Sequence, residues 1–242
     1  MDEGFRAILE SLAILRDTWP GLLKRLLFPF ALFCGLTLIG EVLTPGSVMQ
    51  WGLLCIVAVL FAVIAVTIHR VLILGSDSVP EWGVYPVSMR EIRFALYMAG
   101  VLAGFSGANA LLMYPLLKVL PVFELGGSWA SVGMVAAVWV LVLFLVMQFL
   151  LVFPGTAIDD NPGLRGSREL TRNRKLFLFV TVGVFPQLLL GLGTLIGQIP
   201  GLSYLWPITY VLLYVMVVAA LSVAYTRIRG RRGGRQPIEL EF

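Results

Sequence analysis

The sequence predicts an all-α fold: a polytopic integral membrane helical bundle of six transmembrane helices in three hairpins, with interfacial helices on the cytoplasmic side. Three observations predict it. Apolar residues fill 59% of the 242 positions and charged ones only 13%, about half the charged share of a soluble domain. The mean hydropathy is +0.92, and a water-soluble chain of this size could not cover that much apolar surface. Long apolar runs alternate with short polar segments, and the basic residues crowd into every second segment.

A helix needs about 20 apolar residues to cross the hydrocarbon core. Segments 26–43, 51–69, 93–117, 129–153, 176–199 and 203–226 supply them. The first is short, and Pro29 suits a first helical turn. Barrel strands would alternate over roughly ten residues, whereas these runs are continuously apolar. Unpaired backbone in lipid excludes open alternatives.

The connections set the direction. Arg6, Arg16, Lys24 and Arg25 precede the first span, and Arg70, Arg90 and Arg93 lie in the second connection. Arg165, Arg168, Arg172, Arg174 and Lys175 lie in the fourth, and Arg227, Arg229, Arg231, Arg232 and Arg235 follow the last span. Lys118 is the single basic residue elsewhere. Positive connections stay on the cytoplasmic side, so both termini are expected there, in a bacterial inner (cytoplasmic) membrane. MDEGFRAILE opens with acids and has no basic n-region, so no cleaved leader is expected.

Each hairpin (1–74, 75–153 and 154–226) begins with a lead-in segment. Residues 1–25 form a cytoplasmic amphipathic interfacial segment, 26–226 the six-span domain and 227–242 a basic cytoplasmic tail. In the first lead-in, Phe5, Ile8, Leu9, Leu12, Leu15 and Trp19 follow helical spacing, as in a helix lying in the interface. Pro20-Gly21 is expected to end or bend it. In the second, Ser88 and Glu91 make a capping box, with Trp82 and Tyr85 upstream at headgroup level. In the third, Asn161 is the expected cap and Pro162 the first helical residue. Arg165, Arg168, Arg172 and Lys175 then recur at three- and four-residue steps as one stripe, with Leu170 and Phe177 opposite. Anionic headgroups attract such a stripe by about 1 kcal/mol per basic residue. The likeness of ESLAILRD to GSRELTRN is too short to define a repeat.

Residues 153–179, FPGTAIDDNPGLRGSRELTRNRKLFLF, resemble a signature of bacterial multi-span proteins related to the membrane domain of glycerophosphodiester phosphodiesterases. In that pattern a helix ends at a Pro-containing turn, a short amphipathic segment follows, and a basic residue opens the next helix. The resemblance implies a membrane domain, several such domains having no chemistry of their own. It assigns phosphodiester cleavage to no residue here.

The polar residues are few. His69 is the only histidine, and Cys34 and Cys55 both sit in apolar runs, so neither a metal site nor another cofactor is expected. His69-Arg70 reads as an interfacial pair at the end of the second span. Glu41 and Lys118 sit near span ends, where ordinary solvation suffices, although an ion relay is the sharper alternative. Asn109, Gln148, Gln187 and Gln198 either join helices or line a polar cavity. Gly100, Gly104 and Ala108, like Ala103 and Gly107, are spaced for close helix approach, and the glycines of GLGTLIGQIPG add to this. Unwound transporter helices are the alternative, with Pro115, Pro186 and Pro200 as kinks. Asp159-Asp160 reads as a helix-capping turn, with cation coordination as the alternative. Ser128 and Ser131 lack a base. The tail RIRGRRGGRQ has no aromatic interleaving, so no nucleic acid is expected as a partner.

The leading expectation is a non-enzymatic accessory or scaffold subunit contacting anionic lipid and a membrane protein partner or a second copy. A carrier or flippase for a lipid or small amphiphile, built on Asn109 and the Gly-rich spans, is the alternative, and an intramembrane lipid enzyme the third. A cysteine placed near Glu124, in the third connection, should be sealed from cytosolic thiol reagents and labelled from outside; cytosolic labelling there would invert the topology.

Overall fold

The computed structural model describes residues 2–83, 86–119, 129–199 and 206–232. Tyr85, Pro200, the third connection at 120–128 and the tail from 233 onward lie outside the described residues. The chain is an all-α polytopic bundle. Six helical stretches are long and apolar enough to cross a membrane, and no strand occurs among the described residues.

Helix α1 runs from Asp2 to Val42. At 1.5 Å per residue it is about 60 Å long, roughly twice the thickness of the hydrocarbon core. The expected break at Pro20-Gly21 does not form, since one helix continues through Pro20 and Pro29. An interior proline costs about 3 kcal/mol, and burial of Leu22 and Leu26 just beyond Pro20 offsets it. The first turns are also not a free interfacial helix. Gly4, Ala7, Ile8 and Ser11 are buried, while Phe5 and Leu9 face outward. A Cβ on Gly4 would meet Val180 Cγ1 at 3.0 Å, so the small residues on this face allow the helix to press against the fifth span.

Pro29 has a second consequence. It cannot donate to the Arg25 carbonyl one turn back, and the loop after α2 docks at that spot. Gly83, with φ of 62°, lies so close that a Cβ would stand 2.1 Å from Arg25 O. Arg25 Nε donates to Val79 O at 3.1 Å, and Lys24 Nζ donates to Glu81 Oε1 at 2.9 Å. The Lys24 ammonium holds the Glu81 carboxyl below the usual range. The folded-state pKa is depressed, so this contact helps above the ordinary carboxylate pKa and is lost as pH falls.

Helix α2 (Val48–Leu74) is capped by Ser47, which accepts from Gln50 N, and ends at Gly75. Helix α3 (Met89–Val119) starts at the expected capping box: Ser88 N donates to Glu91 Oε2 at 2.8 Å. The fourth span joins α4 (Trp129–Val146), a tight 3-10 turn at Met147–Phe149, and α5 (Val152–Ala157). Helix α6 (Gly163–Thr171) lies beside it. The fifth span is α7 (Lys175–Leu178), a π-helical stretch at Phe179–Val184 and α8 (Phe185–Gly197). The π stretch ends two residues before Pro186, whose missing N–H leaves the Val182 carbonyl without its helical partner. Helix α9 (Trp206–Arg232) is the sixth span.

Each predicted hairpin forms: α1 packs on α2, α3 on α4 and α8 on α9. Helices α2 and α9 lie together at the centre, with α1 against both. Two thirds of α9's most apolar stretch is buried and none of α3's, so α3 faces outward along most of its length. The spacing of its glycines therefore makes no close contact among the described residues: Gly100, Gly104 and Gly107 have open space around them.

The Gly83 approach gives a clean comparison. Gly83→Ala is expected to lower the thermal midpoint in detergent by the equivalent of about 1–3 kcal/mol, for the left-handed backbone and the blocked approach. Gly100→Ala, in open space, should leave the midpoint within error or raise it slightly through helix propensity.

Candidate functional site

The basic residues collect at one end of the bundle, and the turn after α5 organises them. Helix α5 must stop there, and its last carbonyls need partners. Asp159 takes the left-handed conformation, φ 64°. Its N–H then donates to Thr156 O at 3.3 Å, and Asp160 N–H donates to Gly155 O at 2.9 Å, closing the end with two bonds. The turn folds so tightly that a Cβ on Gly155 would stand 2.6 Å from Pro162 Cδ.

This backbone aims two adjacent carboxylates in different directions. Asp159 Oδ2 accepts from Arg70 Nη1 of α2 and Arg90 Nη1 of α3, each at 3.1 Å. Arg70 Nη1 also donates to Ala157 O at 3.2 Å, covering a carbonyl at the end of α5. Asp160 Oδ2 accepts from the Tyr225 hydroxyl and pairs with Arg229, both on α9. Arg229 Nη1 donates to the Tyr225 oxygen at 2.9 Å. One turn thus ties the fourth span to the second, third and sixth. Glu91 completes the network: its fully buried side chain accepts from Arg90 Nε at 2.9 Å. The capping reading of Asp159-Asp160 holds for the backbone, while the carboxylates themselves bind arginines. Single exposed pairs contribute about 0–1 kcal/mol, but shared partners and a buried Glu91 raise the cost of removing one member.

Deeper, His69 is 1% exposed and is not an interfacial side chain as its sequence position implies. The Ser222 hydroxyl donates to Val218 O at 2.9 Å. Its oxygen also lies 2.8 Å from His69 Nδ1, a hydrogen bond that joins α2 to α9. Arg70, its neighbour, instead reaches the clamp formed by the Asp159–Asp160 turn and its arginines.

The basic residues of the third lead-in face outward, but the helix breaks after Thr171 and a new one starts at Lys175, so the expected single stripe is split between two helices. Arg165, Arg168, Arg172 and Lys175 are all exposed, and Leu170 and Phe177 pack toward the core. Arg165 Nε pairs with Glu169 at 3.3 Å, and Lys175 Nζ sits 5.9 Å from the Phe144 ring centre. The expected cap is displaced: Pro162 is the N-cap, and Asn161 Oδ1 instead accepts from the Tyr97 hydroxyl at 3.5 Å. What fixes α6 is one of two buried hydroxyls. Ser167 donates to Gln148 O at 3.0 Å, in the 3-10 turn where the α-helical ladder is interrupted, while Thr171 Oγ1 lies 3.4 Å from the same oxygen and donates at 3.0 Å to Arg168 O of its own helix. Their i, i+4 spacing inside SRELT was the available signal; the acceptor of Ser167 is a backbone atom that no sequence pattern marks.

The polar span residues do not converge. Asn109 Nδ2 donates to Phe105 O at 2.9 Å and Gln148 Nε2 to Leu145 O at 2.7 Å, each within its own span. Gln187 is half-buried beside Pro186, and among the described residues no hydrogen bond joins any two of these three. Two open recesses lie at the basic end instead. One of about 230 Å³ is lined by Glu3, Asn173, Arg174 and Arg227. The other, of about 240 Å³, is lined by Arg70, Ser78, Val79, Pro80, Pro86 and Arg90.

Comparison with protein-family models, curated proteins and solved structures finds no match to this chain.

Asp159→Asn keeps the shape and the tolerance for positive φ while removing the charge. It should cost about 1–2 kcal/mol of stability, read as a lower unfolding midpoint in detergent. Arg165→Gln, on a side chain that is 94% exposed, should shift the midpoint by less than about 0.5 kcal/mol.

Proposed function

We propose that the chain is a non-enzymatic accessory or scaffold subunit of a bacterial inner membrane, with its basic end and both termini at the cytoplasmic face. It would hold anionic lipid headgroups against Arg165, Arg168, Arg172 and Lys175 and present the outer face of α3 to a membrane protein partner. The observation that carries this reading is the division of labour at the basic end. The carboxylates of Asp159, Asp160 and Glu91 engage Arg70, Arg90 and Arg229, which fixes the helix ends. Arg165 and Arg168 stay exposed on α6, whose other face is fastened through Ser167, and Arg172 and Lys175 stay exposed just beyond its end. A rigid basic platform at headgroup level gains about 1 kcal/mol per residue from anionic lipid, and salt weakens it over a Debye length of about 8 Å.

The face of α3 supports the partner. Gly100, Gly104 and Gly107 lie in open space, where a second helix could approach closely. The resemblance of residues 153–179 to membrane domains without chemistry of their own fits the same reading.

The carrier reading draws on one observation: the fourth and fifth spans are both interrupted, by a 3-10 turn and a π stretch. Those spans touch nearby, with the Phe144 and Phe179 ring centres 5.8 Å apart. Interrupted helices that meet inside a bundle are where transporters place their sites. Asn109 is tied to its own helix, so Asn109→Leu should leave any lipid scrambling in reconstituted vesicles unchanged.

Two measurements test the leading reading. Native purification in mild detergent should recover the chain with a co-eluting membrane protein or as a defined oligomer; a lone monomer would count against the scaffold role. Neutralising Arg165, Arg168 and Arg172 together should weaken retention of anionic lipid by on the order of a hundredfold, the equivalent of roughly 1 kcal/mol each. Unchanged lipid in that variant would remove the stripe from the account.

A further inference from the structure

The recess between the end of α2 and the start of α3 has a use that the clamp does not exhaust. Its charged wall is made of two guanidinium groups, Arg70 and Arg90, with Val79, Pro80 and Pro86 as the apolar remainder. The acids that accompany these arginines, Asp159 and Glu91, do not line it. Both arginines are held in place before any ligand arrives. Arg70 donates through Nε to Ser78 O at 3.3 Å and through Nη1 to Ala157 O and Asp159. Arg90 donates through Nε to Glu91 and through Nη1 to Asp159.

Because both Nη1 atoms reach the same Asp159 oxygen, the two forks stand side by side. Neither Nη2 bonds to another described residue. Each therefore keeps two N–H donors, and a phosphate accepts such paired donors well. The fixed side chains would lose little rotamer freedom on binding.

We propose that this recess seats the phosphate of an anionic phospholipid headgroup. The volume, about 240 Å³, is below the roughly 300–1,000 Å³ of pockets that enclose a drug-sized ligand. It fits a headgroup whose chains remain in the bilayer. The same connection supplies apolar surface: Trp82, Val87 and Met89, near Pro80 and Pro86 in sequence, are 49%, 51% and 67% exposed, as side chains at headgroup level are. Arg25 approaches the same wall from α1 through its bond to Val79 O. Asp159, itself 64% exposed, is the internal competitor, since it occupies one donor of each arginine. The site rests on the reading that the basic end faces an anionic leaflet, but it is separate from the exposed basic residues at 165–175.

The test uses the full chain in neutral-lipid nanodiscs, titrated with short-chain phosphatidic acid and followed by native mass spectrometry. The matching phosphatidylcholine and inorganic phosphate are the controls. Phosphatidic acid should saturate one site. Arg70→Gln and Arg90→Gln should each weaken it by about tenfold, the equivalent of one charge-assisted bond. Ser78→Phe, which fills the recess and keeps both arginines, should abolish saturation even if the arginine variants fold poorly. Asp159→Asn should tighten binding while lowering stability, a pairing that a purely structural role would not produce. Wild-type affinity in Ser78→Phe overturns the site. Equal affinity for inorganic phosphate overturns the lipid assignment in favour of a free anion. A variant neutralised at Arg165, Arg168 and Arg172 should keep the saturable site; if it alone loses phosphatidic acid, the stripe reading stands and this recess falls. Indifference of every variant to lipid charge overturns both.

Discussion

A helix ending at a membrane boundary leaves carbonyl groups that must find donors, and this fold is organised around how one such ending is met. The fourth span closes through two backbone bonds that require Asp159 in a left-handed conformation. That geometry is unfavourable for most side chains and least so for Asp, Asn and Gly. Once it forms, consecutive carboxylates diverge, and the ends of α2, α3 and α9 are drawn to them by arginine. Arg70 then supplies a donor to the Ala157 carbonyl, so backbone accounting and charge pairing are solved by the same residues. Gly155 and Pro162 belong to this constraint because only a bare Cα leaves room for the proline ring.

The fold class, the spans and the pairing into hairpins were legible because lipid imposes a coarse rule: long apolar helices, with charge in the connections. The capping box at Ser88 and the exposed face of Arg165 and Arg168 on α6 were legible because both follow from local spacing. The continuity of α1 was not. Pro20-Gly21 is a helix breaker locally, and only the tertiary burial of Leu22 and Leu26 decides otherwise. His69 was misplaced for the same kind of reason. Its partner, Ser222, lies on another helix 153 positions away, and no local pattern announces the pair. The glycines of α3 show the converse: the spacing permits close approach, but no helix among the described residues approaches them.

The candidate site was half legible. Asp159-Asp160 marked a turn correctly, yet their arginine partners depend on which helices are neighbours. The docking of α6 turns on the Gln148 carbonyl, a group every residue possesses. It becomes distinctive only where a 3-10 turn interrupts the ladder that would otherwise occupy it.

Charge counting also treats all basic residues at one end as equivalent, and the structure separates them. Arg70, Arg90, Arg174, Arg227 and Arg229 each pair with an acid from another part of the chain or beside them. Their charges are locally compensated, and their contribution to a long-range field is correspondingly small. Arg168, Arg172 and Lys175 show no such acid among the described residues, and Arg165 meets only Glu169, a turn away on an exposed face. The residues that hold the helix ends together are thus distinct from those that project a field toward a surface. In the proposed function, the first group sets where the platform stands and the second sets what it attracts. The Arg70–Arg90 recess is the one place where both roles would meet, because its guanidinium groups are compensated on one side and present donors on the other.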